Sequence, residues 1–508
     1  MRMISRAALV GTVMAGLAGL AGCKEAPPAQ KTPAEACAAL AGRTFGDATV
    51  SSASVVAATA AVPEHCKLAG SLRTTLRFEA LLPTVWNHKL LYLGGGGWDG
   101  SVPNLYQSYS PSGNTGGYVL VGSNGGHDDP TGAVFLNNPQ VQKDFGYLGI
   151  HSVLEVIKQI VKERYGEAPQ RHYFEGCSNG GREALIQASR YPQDFDGIVS
   201  RAPAYSFTEL TMAFLNNMKR MQGTPGGALS AAKAATIAKA ALQKCDALDG
   251  LSDLLISNVE GCTFDPGTLL CTAGDSDSCL TPEQVTTART IYSEYKLASG
   301  TSVYPGWGPG GEEQGWPDWL IGRPPTPALQ LFFADSMIRY WLVKNPAYNS
   351  LTFDPQTSTS QAQLAEAAQI LDASPDLSAF FARSGKLILI HGDADWAISY
   401  RGSVKYFNNV ATAVGGAAKR DESMEFFLEP GVQHCFGGAG PDSIDLLDAV
   451  VGWVEQGRRP SSAGLLLSKQ DATGKVVFTR PLCRYPQYPR YKGTGDILAA
   501  ASYTCTSP

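Results

Sequence analysis

Residues Arg171 to Gln187 read Arg-His-Tyr-Phe-Glu-Gly-Cys-Ser-Asn-Gly-Gly-Arg-Glu-Ala-Leu-Ile-Gln. His172 to Glu175 is a short run of strand type, and Gly181 to Arg190 predicts a helix. Gly176-Cys177-Ser178-Asn179-Gly180 between them fits G-x-S-x-G. Strand, tight turn and helix form the setting in which this motif lifts a serine hydroxyl clear of a sheet. Glycine flanks the serine because a Cβ would crowd the turn. In a chain with 55 glycines the motif alone is weak. With its strand and helix it predicts Ser178 as the nucleophile of an α/β fold.

A serine hydroxyl is a poor nucleophile at neutral pH, so it needs a base and an acid that orients the base. In an α/β-hydrolase the chain order is serine, then acid, then histidine. Lys386 to Ile390 has a buried-strand pattern and runs into His391-Gly392-Asp393-Ala394-Asp395. An acid just past a strand's C-terminal end lies where an α/β sheet builds its site. Glu425 to Leu428 predicts another strand, followed by Pro430-Gly431-Val432-Gln433-His434-Cys435. Of the seven histidines, His434 has the position of the base. His65, His88, His151 and His172 lack this context. His127 follows a strand but precedes the serine, and His391 reads as a hydrogen-bonded turn residue. An ester's tetrahedral intermediate needs donors for its oxyanion. The N–H of Asn179 is one, and the loop Gly94 to Gly97 after the strand Leu90 to Leu93 supplies the other.

Length and composition agree with a large enzyme core. The chain has 508 residues, 44% hydrophobic and 17% charged, with a net charge of −5. This balance excludes disorder, coiled coil and fibre, and it offers no basic footprint for nucleic acid. Arg2 and Arg6 precede a glycine-broken apolar run, Ala7 to Gly22, which reads as an export signal. Leu20-Ala21-Gly22-Cys23 resembles a bacterial lipoprotein box. Residues 1–22 are thus expected to be a signal peptide, Cys23 the lipidated residue and 23–36 a tether. The protein would be periplasmic or outer-membrane associated, with membrane contact only through that lipid.

Leaving Cys23 aside, ten cysteines remain, an even number suited to disulfides in an oxidising compartment. No C-x-x-C pair exists, which argues against zinc ribbons and thioredoxin-like chemistry. Spacing favours Cys37 with Cys66, Cys245 with Cys262, Cys271 with Cys279 and Cys483 with Cys505. Cys177 and Cys435 are left, beside Ser178 and His434. If serine and histidine come within hydrogen-bond reach, their neighbours come close too. A fifth disulfide is therefore predicted to fix the nucleophile loop to the base loop.

Several stretches resemble the tannase and feruloyl esterase family. They are Gly176 to Arg182 with its Cys-Ser pair, His434-Cys435-Phe-Gly-Gly-Ala-Gly-Pro-Asp442, Tyr191 to Ala204, Leu377 to Asp395, and Arg480 to Asp496. The resemblance implies an α/β-hydrolase core over 37–204 and 384–508, with a lid domain over 205–383. It implies a Ser178, Asp395 and His434 triad, the H-G-x-x-D spacing selecting Asp395 over Asp393. Gly97 and Asn179 would form the oxyanion hole. It also implies a structural Ca²⁺ on the carboxylates of Asp246, Asp249 and Asp253 and the carbonyls of Leu251 and Leu255, hard oxygen donors of the kind calcium takes. Leu254 departs from the glycine usual there.

Among the lid aromatics Trp307, Trp316, Trp319, Phe332, Phe333 and Trp341, most are expected to form lid core. Trp319 matches a family substrate contact, and Ile398 should line the same pocket. The implied activity is a serine carboxylic-ester hydrolase acting on small esters of aromatic acids, feruloyl or galloyl. A mono(hydroxyethyl) terephthalate hydrolase is the alternative within the family. Its members use a lid arginine on the free carboxylate, and Ala328 to Ser336 has none; Arg323 and Arg339 are near but not aligned. From another class, a non-catalytic lipoprotein binding phenolics or glycans could keep the same fold.

Overall fold

Ten strands pair into one sheet in the computed structural model, which describes residues 31–60, 62–107 and 116–508. The expected signal peptide, Cys23 and the first part of the tether lie outside these residues. In chain order the strands are β1 (Thr44–Phe45), β2 (Ala48–Val56), β3 (His65–Leu72), β4 (Leu76–Pro83), β5 (Lys89–Leu93), β6 (Val119–Ser123), β7 (Arg171–Cys177), β8 (Gly197–Arg201), β9 (Lys386–Gly392) and β10 (Met424–Glu429). Across the sheet the order is β1-β2-β3-β4-β6-β5-β7-β8-β9-β10. The first four and the β4–β6 pair are antiparallel; from β6 to β10 every pair is parallel.

The parallel strands are buried on both faces, which is why they read as unbroken apolar runs. Alternate residues serve opposite layers. Leu387 and Leu389 of β9 join a core with helices α1 (Gly149–Tyr165), α2 (Asn179–Arg190) and α3 (Tyr400–Val414). Ile388 and Ile390 join the opposite core under α4 (Leu446–Gln456). This is the α/β architecture expected from the sequence.

The lid enters the chain between β8 and β9. Its helices include Phe207–Met221, Ala231–Cys245, Pro282–Tyr292, Leu329–Ser336 and Ser358–Leu371. Trp307, Trp316 and Trp341 are buried in its core, but Trp98, Phe135 and Phe145 of the catalytic segment are buried in that same cluster. The lid core is thus shared with the catalytic segment. Near the ends of the expected 205–383 span, Tyr205, Ala373, Leu377 and Phe380 pack in the sheet-side core. Leu377 and Phe380 lie one turn apart, so a single apolar face leads the chain back into β9.

The tether ends earlier than expected. Thr32 caps the helix Pro33–Ala38 in a capping box with Glu35, because Thr-x-x-Glu satisfies two helix-end donors reciprocally. All five expected disulfides are present. Among the described residues no helix is long and apolar enough to cross a membrane.

Candidate active site

Ser178 stands between β7 and α2 with φ 63° and ψ −120°. A β-carbon residue in this region carries strain of about 1–3 kcal/mol, so the surroundings must hold it. They do so through the backbone: the Ser178 N–H donates to Arg201 O at 3.1 Å, and its carbonyl accepts from Arg182 at 3.0 Å and Ala204 at 3.1 Å. The glycines are required by contact. A Cβ on Gly176 would lie 2.5 Å from the Gly180 carbonyl oxygen, and one on Gly180 would lie 2.7 Å from that of Gly95.

Asp395 follows β9 and His434 follows β10. His434 Nδ1 and Asp395 Oδ2 are 2.7 Å apart. The other oxygen, Oδ1, accepts from the Ala397 N–H at 2.8 Å and the Ile398 N–H at 2.9 Å. Burial alone would raise this carboxyl. The charge of His434, then hydrogen bonds from His391 and His434, outweigh it and hold Asp395 well below the ordinary carboxylate range. Cys177 and Cys435 are bonded across 258 residues with Cα atoms 5.9 Å apart, so one covalent link ties the residue before Ser178 to the residue after His434.

A narrow cavity of about 20 Å³ lies over Ser178. Gly97, Asn179, Trp319 and Ile398, each expected at the site from sequence, all line it. Phe207, Phe214 and Phe333 complete an aromatic wall. Trp319 stacks on Phe333 with centroids 5.9 Å apart and meets the His434 ring edge-on at 6.3 Å.

A sequence profile described as tannase and feruloyl esterase matches residues 60–506. This chain belongs to the tannase and feruloyl esterase family. It is a carboxylic ester hydrolase. The mono(2-hydroxyethyl) terephthalate hydrolase of Piscinibacter sakaiensis is 31% identical over 539 residues, covering 90% of this chain and 87% of that protein. A probable feruloyl esterase B-2 of Aspergillus terreus is 31% identical over 464 residues, covering 87% and 86%. The crystal structure of feruloyl esterase B from Aspergillus oryzae superposes with a TM-score of 0.84 at 27% identity, covering 94% of this chain and all of that one.

Phe207, Phe214 and Trp396 were not singled out from sequence for this esterase's site, and His391 was read only as a hydrogen-bonded turn residue. His391 is part of β9, not of a turn. Its Nε2 faces two acceptors, Asp395 Oδ2 at 3.1 Å and Ile398 O at 3.0 Å, so it carries the hydrogen, while Nδ1 lies 2.7 Å from Ser403 Oγ. It therefore braces the same Asp395 oxygen, Oδ2, that His434 meets. Trp396 packs on the His434 ring at 5.5 Å. Its place directly after Asp395 was the available signal.

The acidic loop after helix Ala231–Cys245 is closed by Cys245–Cys262. Asp246 Oδ1 accepts from the N–H groups of Asp253 and Leu254, and Asp249 from those of Leu251 and Ser257. Burial pushes Asp249 up to about 6, and Asp253 adds to the rise. Asp253 pairs with Arg480 at 2.7 Å. Leu254 has φ 70°, the left-handed conformation that glycine takes without strain. Among the described residues, the three aspartates are not gathered within 4.8 Å of one another; His151, Glu155 and Asp194 are. Those three are already engaged, His151 with Asp194 and Glu155 with Lys158.

Proposed function

We propose that this esterase cleaves esters of aromatic acids through a Ser178, His434 and Asp395 triad and an acyl-enzyme. The observation that carries this reading is the His434–Asp395 bond beside an aromatic cavity that opens on Ser178. With Nδ1 holding its hydrogen toward Asp395, His434 keeps Nε2 as the base. His434 takes the Ser178 proton as Oγ attacks the ester carbonyl. The N–H groups of Asn179 and Gly97 receive the oxyanion. His434 then gives the proton to the leaving alcohol, and water, deprotonated by the same nitrogen, releases the aromatic acid from the serine.

The test is the initial rate on methyl ferulate, methyl gallate and mono(2-hydroxyethyl) terephthalate, for wild type beside Ser178→Ala. Turnover of an aromatic ester, lost at least about 10³-fold in the variant, is expected. Turnover that survives the substitution would sink the nucleophile. Tight phenolic binding without turnover would favour a binding protein.

Feruloyl or galloyl esters are preferred to the terephthalate monoester. The residues lining the cavity include no charged side chain. Arg323 is paired with Asp318 and Arg339 with Asp335. A free carboxylate therefore has no partner in the wall.

The loop also suits a structural Ca²⁺. Its donors are all hard oxygens, and burial together with the negative charge of Asp253 works against ionised Asp249. Asp246, Asp249 and Asp253 with the carbonyls of Leu251 and Leu255 would hold the ion, which would neutralise the loop. A chelator is expected to lower Tm by several degrees, restored by Ca²⁺; an unchanged Tm would rule the ion out. Export and lipidation at Cys23 belong to the same reading, supported by Leu20-Ala21-Gly22-Cys23.

A further inference from the structure

Behind the cavity, two carboxylic side chains sit where the nucleophile turn meets the Gly94 to Gly97 loop. Asp99 and Glu183 are only 7% and 5% exposed. The Asn179 side-chain amide donates to Asp99 Oδ1 at 2.8 Å and reaches Glu183 Oε1 at 3.4 Å. The Gly95 N–H donates to Glu183 Oε2 at 3.0 Å, and the Asp99 N–H donates to Gly96 O at 2.8 Å. The Glu183 carboxyl thus holds both the glycine loop and Asn179, while the Asp99 carboxyl holds Asn179 and the Asp99 backbone N–H ties to the loop. The surroundings are built for them: a Cβ on Gly95 would lie 2.6 Å from Asp99 Oδ1.

Charge acts on both acids of the pair. The buried cation here is Arg182, whose Nε donates to Asn179 Oδ1 at 2.7 Å while its other nitrogens serve the carbonyls of Phe145, Gly146 and Leu371. Two adjacent ionised carboxylates would exceed its single charge. Burial raises both groups, and the charge of Glu183 raises Asp99 further. Both groups are thus pushed toward the protonated form, Asp99 further by its neighbour.

We propose that Asp99 and Glu183 are positioning residues of the ester hydrolysis, together fixing the spacing between the Gly97 and Asn179 backbone donors. This rests on the reading of those two groups as the oxyanion hole. Neither acid touches the substrate; each acts through the loop or the amide it holds.

The test compares Asp99→Leu, Asp99→Asn and Glu183→Gln, with Tm measured for each. A donor displaced by a fraction of an ångström costs rate, not ground-state binding. Asp99→Leu is therefore expected to lower kcat at least about 10-fold with KM within about threefold, and Asp99→Asn, which keeps an acceptor for Asn179 and a donor for Glu183, to restore most of it. Glu183→Gln turns an N–H₂ toward other donors and should lose kcat as Asp99→Leu does. Affinity for an aryl boronic acid, whose tetrahedral adduct uses the hole, should fall in step, while affinity for the product acid stays.

Loss confined to KM, wild-type kcat in Asp99→Leu, or no rescue by Asp99→Asn would each overturn the proposal. If Glu183→Gln does not fold, the Asp99 pair decides alone. Wild type and Ser178→Ala assayed alongside test the esterase reading itself, so the two failures are separable.

Discussion

Asp393 and Asp395 are the same residue type in one short loop, and their surroundings push their carboxyls in opposite directions. Asp395 is met by two backbone N–H groups and two imidazoles, and the charge of His434 and these bonds hold it ionised against burial. Asp393 accepts one N–H, from Gly431 at 2.7 Å, and its Oδ2 is buried without a partner. Burial, then the charges of Glu429 and Asp249, push it well above the ordinary range. Asp395→Asn should therefore lower kcat by about 10⁴-fold, because the amide stabilises neither the imidazolium nor its tautomer. Asp393→Asn keeps the shape and an acceptor for the Gly431 N–H, away from the His434 ring, and should leave kcat within about threefold. Equal losses in steady-state assays would refute the assignment. Residue type alone left both candidates open; only the spacing of a resembling family separated them, because solvation and hydrogen-bond supply are properties of the fold.

At the level of elements, the site is three strand ends and the loops they release. Ser178 and Cys435 flank the clamp, and both have positive φ, 63° and 68°. Cys177–Cys435 is the covalent restraint on that strained pair of turns. Replacing both cysteines by alanine should cost about 2–5 kcal/mol in urea denaturation. It should also lower kcat at least about 10-fold, since the His434 loop is then free to drift from Ser178. A stability loss with unchanged kcat would make the bond purely structural. Strand cores were legible from apolar runs, but their ends were not. The reading stopped β9 at Ile390, whereas His391 and Gly392 continue the ladder opposite Leu428 and Glu429. A ladder uses backbone groups, so polar or glycine residues do not end it. The helix after Ser178 likewise starts at Asn179, not Gly181, because the Ser178 turn is itself the helix entrance.

Across the whole molecule, what sequence could not give is long-range packing. The lid core includes Trp98, Phe135 and Phe145 from the catalytic segment, and Arg182 reaches the Leu371 carbonyl 189 residues away. Such partners leave no periodic trace. They also bury ionisable groups, and this sets how stability depends on pH. Glu429 ends β10 with Oε1 buried and unpartnered. Burial, opposed by Arg201 and aided by Asp442, pushes it up to about 7, and burial pushes Asp372 up to about 6. In the unfolded chain both ionise near their ordinary values, so between about pH 4 and pH 7 the folded state holds protons that the unfolded state has released. Stability from these groups is complete below that window, falls as pH rises through it and levels above it. Asp395 behaves oppositely: its depressed value contributes stability that disappears only in strong acid. Glu429→Gln removes the ionisation while keeping the shape. Its advantage over wild type should be small at pH 5 and grow toward pH 8, with an upper bound of about 3 kcal/mol. Urea denaturation of both proteins at the two pH values reads the difference. If the two curves stay parallel, Glu429 is not the group whose burial opposes folding at high pH.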